Sequence, residues 1–207
     1  MALPDDLQLR RRLPAGHPHH PGDPRGFLGD RGATRLSEAP LPVIAHLVIR
    51  TDGAARGNPG PASLGAALID GSRADALEPT APPDATISEA LGHQTNNVAE
   101  WTGVVEALKL ARRLGAERVD LFLDSKLIVE QLHGRWRVKD AKLQPLWAEA
   151  KAMLVGFRRW SATHVPREQN STADRLANEA LDRVAAGGPM RIARARRVAP
   201  GEGGRGA

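Results

Sequence analysis

The segment HLVIRTDGAARGNPGPASLGAAL, residues 46–68, constrains the fold more than any other stretch of the chain. Its first apolar run, Leu47-Val48-Ile49, ends at the carboxylate of Asp52, and a second apolar run follows a turn rich in Gly and Pro. Asn58-Pro59-Gly60 is turn chemistry. Residues 45–51 and SLGAALID therefore predict two antiparallel strands joined as a hairpin. The bare loop does not fit a nucleotide cradle. A P-loop carries Lys-Ser or Lys-Thr after its glycines, and neither follows Gly53 and Gly57. The G-x-G-x-x-G fingerprint is absent, and the loop leads into a strand rather than a helix.

Downstream, residues 71–84 read as a loop and TISEALG as a third strand. The period then changes. Val98, Trp101, Val105, Leu108 and Ala111 form a helical stripe that ends near Gly115. RVDLFLD predicts a fourth strand, SKLIVEQLH a short helix capped by Ser125, and residues 141–155 another helix. RRWSATHVP predicts a fifth strand halted by Pro166. NSTADRLANEALDRVA predicts the last helix, with Leu176, Ala180 and Val184 on one face. Three strands in a meander, then helices alternating with strands, predict an α/β domain with a five-stranded mixed sheet: antiparallel strands 1–3, then parallel strands 4 and 5.

The domain so defined covers residues 43–186. Residues 1–42 carry many Pro and Gly and sustain no period, so they read as a disordered or loosely attached extension. His17, His19 and His20 within it offer metal-ligand chemistry, but a solvated tract is the simpler reading. Residues 187–207 read as a basic disordered tail, with Arg191, Arg194, Arg196 and Arg197. The formal net charge of +5 favours a polyanionic partner such as nucleic acid, although compositional bias alone can produce it. The chain contains no cysteine, which excludes disulfides and thiolate metal sites and fits a cytoplasmic setting. No apolar run reaches the roughly 20 residues of a membrane span, and the N-terminus lacks the apolar core of a secretion signal.

Four acids stand where packing does not ask for them. Asp52 and Asp124 close strands 1 and 4, and ligands of α/β sheets gather at such carboxyl ends. Glu100 and Asp174 lie near the starts of two helices. Each has an ordinary reading, as a turn residue, a cap or a complement to the helix dipole. Together they predict a carboxylate cluster at one sheet edge, whose mutual repulsion a divalent cation relieves. Hard oxygen donors without Cys or a paired-His helix motif point to Mg²⁺ or Mn²⁺ rather than zinc.

TDGAARGNPGPAS, TNNVAEW, LFLDSKLIVEQL and HVPREQNSTADRLANEAL resemble, in order, the four motif regions of the ribonuclease H type I family, over about residues 44–185. The resemblance implies the ribonuclease H-like fold. It also implies an endoribonuclease that cuts the RNA strand of RNA/DNA hybrids and leaves 5′-phosphate and 3′-hydroxyl ends. It further implies that Asp52, Glu100, Asp124 and Asp174 bind two Mg²⁺ ions, with Mn²⁺ able to substitute. His164, ten residues before Asp174, matches the family's mobile histidine, thought to help protons move or product leave. Thr95, Asn96 and Asn97 match the segment that contacts the hybrid, although Thr95 or Asn96 can also cap the helix. Gly53 and Ala54 would approach ribose 2′-hydroxyls. Ser125, Trp136 and Asn170 complete the implied substrate contacts, and a monomer is the expected state.

The chain departs from the family in one respect. The long basic handle of some bacterial relatives is missing, and Arg135, Trp136, Arg137, Lys139 and Lys142 form a compact cluster in its place. Trp136 there suits either stacking on a base or core packing. Two rival functions remain at this stage. One is a same-fold nuclease acting also on RNA–DNA junctions or double-stranded RNA. The other is a non-catalytic nucleic-acid-binding module, which would gain nothing from four acids set against phosphates.

Overall fold

The structure, a computed structural model, describes residues 43–196. The expected extension over residues 1–42 lies outside the described residues, as do residues 197–207. The elements run β1 (His46–Ala55), β2 (Gly60–Asp70), β3 (Ala85–Gln94), α1 (Asn96–Arg113), β4 (Arg118–Leu123), α2 (Lys126–Leu132), α3 (Gln144–Val155), β5 (Arg159–His164), a 3-10 turn (Arg167–Asn170), α4 (Ser171–Ala185) and β6 (Arg191–Ala195). No described helix is long and apolar enough to cross a membrane.

The sheet has the order β5-β4-β1-β2-β3-β6. β1, β2 and β3 pair antiparallel, while β4 pairs parallel with both β1 and β5. Alternation along β1 sorts its side chains by face. Leu47 and Ile49 join the main core with Leu64, Leu68, Trp101, Val105 and Leu108, so α1 covers that face. Val48 falls in a smaller cluster with Ile69, Ala76 and Ala81 on the other. α4 covers that second face further along. Ser63 Oγ donates to the Ala177 carbonyl at 2.7 Å, and Ser88 Oγ to the Leu176 carbonyl at 2.7 Å. α4 buries Ala173, Leu176, Ala177, Ala180 and Leu181, and each buried leucine contributes about 1.5–3 kcal/mol.

The sheet has six strands, one more than the sequence predicts. β6 pairs antiparallel with β3, Arg191 opposite Glu89 and Ala195 opposite Ala85. Residues 191–195 thus form an ordered strand, not the start of a disordered tail. The reason is main-chain chemistry. The outer edge of β3 would otherwise present unpaired N–H and C=O groups. Arg183 secures the connection, donating to the Pro189 carbonyl at 2.8 Å and the Ser88 carbonyl at 2.8 Å. Arg191 then pairs with Glu89 and with Glu106.

Candidate active site

Parallel pairing of β1 with β4 assembles the first half of the site. Thr51 stands opposite Leu123, so the residues that follow, Asp52 and Asp124, emerge side by side where the pairing of β1 with β4 ends; β1 itself does not close at Asp52 as expected but runs on to Ala55. The other two acids arrive on helices. Two glycines let those helices come close, one on each face of the sheet. A Cβ at Gly53 would lie 2.3 Å from the Glu100 backbone nitrogen. A Cβ at Gly65, which pairs with Asp52 across the hairpin, would lie 2.1 Å from the Ala173 carbonyl oxygen. The missing side chains seat the start of α1 on β1 and the start of α4 on β2. The expectation that Gly53 leaves room for a ribose is therefore met first by a packing need.

The electrostatics report the convergence. Asp52 is buried, and its pKa is pushed up to about 7. Burial is the main cause, followed by the negative charges of Asp124, Asp174 and Glu100, against which the Gly53 N–H bond at 2.8 Å works. Glu100 is likewise raised, first by burial and then by Asp124, with the Ser125 and Asn96 side chains opposing. Its Oε1 accepts from Asn96 Nδ2 at 2.8 Å, while its Oε2 is buried without a hydrogen-bond partner. A buried carboxylate oxygen with so little hydrogen bonding beside other acids has the chemistry of a cation ligand.

Asp174 has a different partner. The Arg167 guanidinium donates to its Oδ1 at 2.5 Å. Asp174 raises the pKa of Arg167 most, and Asp52 and Asp124 add to the effect, so this one cation sits in the field of three acids. Among the described residues, no three His, Asp or Glu side chains are already drawn together closely enough to hold a metal ion. The oxygen donors of these four acids suit a hard divalent cation in kind. Arg167 was legible only as part of HVPREQN, and nothing in its spacing pointed to Asp174.

The other expected residues divide. His164 is exposed on β5, with Nε2 3.2 Å from the Asp124 carbonyl oxygen. Thr95 caps α1, accepting from the Val98 N–H at 3.3 Å, and Asn58 Oδ1 accepts from the Asn96 N–H at 3.2 Å. The hairpin tip and the TNN segment are thus tied together, with Asn97 exposed beside them and Ala54 half-buried. Ser125 stands at the N-cap of α2, but its side chain makes no capping bond there. Trp136 is 46% exposed, and with Arg137, Gln144 and Trp147 it lines a cavity of about 500 Å³ between α2 and α3. That geometry is open to a ligand and is not core packing.

Asn170 departs from the expectation of a substrate contact. It is fully buried. Its Nδ2 donates to the Thr51 carbonyl at 2.8 Å and to Asp124 Oδ1 at 3.0 Å. The Thr51 carbonyl fixes which way the amide points, because the opposite orientation would set oxygen against oxygen. Asn170 holds Asp124 from below rather than facing a substrate.

Residues 50–180 match the reverse transcriptase-like family. The bifunctional protein Rv2228c of Mycobacterium tuberculosis is 44% identical over 139 residues, which cover 67% of this chain and 36% of that protein. The chain thus spans about a third of the length of this relative. The solved N-terminal RNase H domain of Rv2228c superposes with a TM-score of 0.60, covering 65% of this chain and 98% of that one. The ribonuclease H of Polaromonas naphthalenivorans is 35% identical, with 67% of this chain and 89% of that protein covered. LC11-RNase H1, solved in complex with an RNA/DNA hybrid, is 33% identical, with a TM-score of 0.60 over 67% of this chain and 99% of that one. By family match, relatives and fold, the chain belongs to the ribonuclease H type I family.

Proposed function

We propose that this protein is a divalent-metal-dependent endoribonuclease that cleaves the RNA strand of RNA/DNA hybrids. The observation that carries this reading is the gathering of Asp52, Glu100, Asp124 and Asp174 where the pairing of β1 with β4 ends. Burial first, and then the charges of the other three acids, lift Asp52 to about 7. A module that only binds nucleic acid gains nothing from concentrating negative charge where phosphates approach. The hybrid found with LC11-RNase H1, a relative at 33% identity, supports the choice of substrate.

Asp52, Glu100, Asp124 and Asp174 would hold the metal. Two Mg²⁺ ions there would neutralise the scissile phosphate and supply an activated water for in-line displacement, giving 5′-phosphate and 3′-hydroxyl ends. The chain's own residues do the rest. Asn170 fixes the Asp124 carboxylate, and Asn96 fixes that of Glu100. The exposed His164 beside Asp124 is placed to carry a proton or loosen product. Thr95, Asn96 and Asn97, tied to the hairpin tip through Asn58, offer donors to the hybrid backbone. Trp136 with Arg137 offers a stacking surface further along the duplex.

A panel of end-labelled hybrid, duplex RNA, duplex DNA and DNA with a single ribonucleotide tests the substrate. Cutting of the hybrid's RNA strand with 5′-phosphate products is expected. Preference for duplex RNA or for the single ribonucleotide would move the reading to the same-fold alternative.

A further inference from the structure

Arg50 is a buried charge that the hydrolytic chemistry does not use. Arg50 lies on β1 two residues before Asp52, on the same face, and only 2% of it is exposed. Burial lowers its pKa, and among the described residues no carboxylate bonds it. Its Nη1 donates to the Gln169 carbonyl at 2.9 Å and its Nη2 to the Leu77 carbonyl at 2.8 Å. Its guanidinium carbon lies 5.0 Å from the Phe122 ring centroid, and its Nε is buried without a partner. An ordinary core does not pay for this arrangement. A buried cation costs several kcal/mol, and an apolar residue of similar volume is often as stable or more so. What the fork supplies is geometry: two carbonyls on separate loops, held at fixed positions under β1.

One of those carbonyls belongs to the residue before Asn170. Gln169 and Asn170 share the 3-10 turn that also carries Arg167 and leads into α4. The Asn170 amide reaches both Thr51 on β1 and Asp124 after β4. Arg50 and Asn170 thus pin the same turn to β1 at neighbouring points, and the second pin holds a candidate metal ligand.

We propose that Arg50 is a positioning residue for the reaction: by fixing the Arg167–Asn170 turn against β1, it lets Asn170 hold Asp124 beside Asp52. This rests on the hydrolase reading above. Lys cannot replace the fork, because an ammonium on a flexible stem does not bridge two carbonyls in a plane.

The test uses the full chain with Arg50→Met, Arg50→Lys, Asn170→Ala and the Arg50→Met/Asn170→Ala double variant. In metal-free protein, exchange protection of the Asn170 side-chain NH₂, read by ¹⁵N NMR well below Tm, should be lost in Arg50→Met. With Mg²⁺, kcat on hybrid should fall about 10- to 100-fold, the range for partners that orient metal ligands, while KM is unchanged. The double variant should lose no more than the worse single one. Should the Met variant fail to fold, Arg50→Lys carries the same measurements. A merely structural Arg50 would lower Tm, leave the Asn170 amide protected and multiply with Asn170→Ala in kcat, which would overturn the proposal. A wild-type chain that cuts no hybrid sinks the hydrolase reading instead, and the NMR measurement then still decides whether Arg50 sets Asn170.

Discussion

Gly53 and Glu100 are in backbone contact so close that any side chain on the glycine would have to displace the helix, with a Cβ only 2.3 Å from the Glu100 nitrogen. The stretch of β1 that follows Asp52 is bare because the start of α1 rests on it. Gly65 does the same for α4 on the opposite face of the sheet. Two absent methyl groups bring Glu100 and Asp174 to Asp52.

Gly53→Ala and Gly65→Ala should therefore each destabilise the protein, by about 1–3 kcal/mol as overpacking does, and each should depress turnover by shifting one acid. Gly103→Ala is the control. Its Cβ would meet only ordinary contacts, the nearest at 3.5 Å, inside α1, where Ala is favoured over Gly by about 0.8–1 kcal/mol. Thermal melts of the three variants should lower Tm for the first two and raise or preserve it for the third. Equal effects at all three positions would contradict the close-approach argument.

The raised pKa of Asp52 makes stability depend on pH in the metal-free protein. The folded state keeps the Asp52 proton up to about 7, whereas an unfolded aspartate releases it near 3.8. Between those values the folded state binds more protons, so the Asp52 contribution to stability falls as pH rises and levels off above about 7. Asp52→Asn removes this penalty. In EDTA its Tm advantage over wild type should be absent at pH 4, grow through the window and plateau near pH 8. Saturating Mg²⁺ should shrink the advantage by stabilising the wild type alone. An advantage independent of pH would mean that burial and the neighbouring acids do not keep Asp52 protonated.

Arg167 competes with any cation for Asp174. Its side chain is 74% exposed, so the pair is screened, and pairs of this kind are worth about 0.2–1 kcal/mol. Arg167→Gln should tighten Mn²⁺ binding, measured by calorimetry, by about 1.4- to 5-fold, the equivalent of that energy. Weaker binding in the variant would show that Arg167 supports the metal site rather than occupying it.

Much of this site was legible in the sequence because its logic is local. A strand that ends in a carboxylate, or an acid in the first turn of a helix, can be read from short windows, and parallel pairing of strands 1 and 4 then follows from the order of elements. What escaped depends on contacts between distant segments. RIARA has no apolar face of its own, so β6 exists only because β3 offers it an edge. Nothing in its own segment marks Arg50 as buried, because the turn before α4 and the loop at Leu77 are what close over it. Asn170 is expected as a substrate contact, yet its Nδ2 is spent within the fold on Thr51 and Asp124. The bareness of Gly53 is expected to serve a ribose, and its need to seat the start of α1 is visible only in the fold.

The central claim is that four carboxylates form one metal-dependent hydrolytic site. Its most direct test is cleavage of a labelled RNA strand in an RNA/DNA hybrid by wild type and Asp124→Asn, with Mg²⁺ and with EDTA, alongside hybrid binding. Asp124 is half-exposed and bonded by Asn170 Nδ2, so the isosteric amide should fold and bind. Cleavage by wild type with Mg²⁺ only, and its loss in Asp124→Asn with binding retained, is the predicted result. Undiminished cutting by Asp124→Asn, or cutting by wild type in EDTA, would contradict the account.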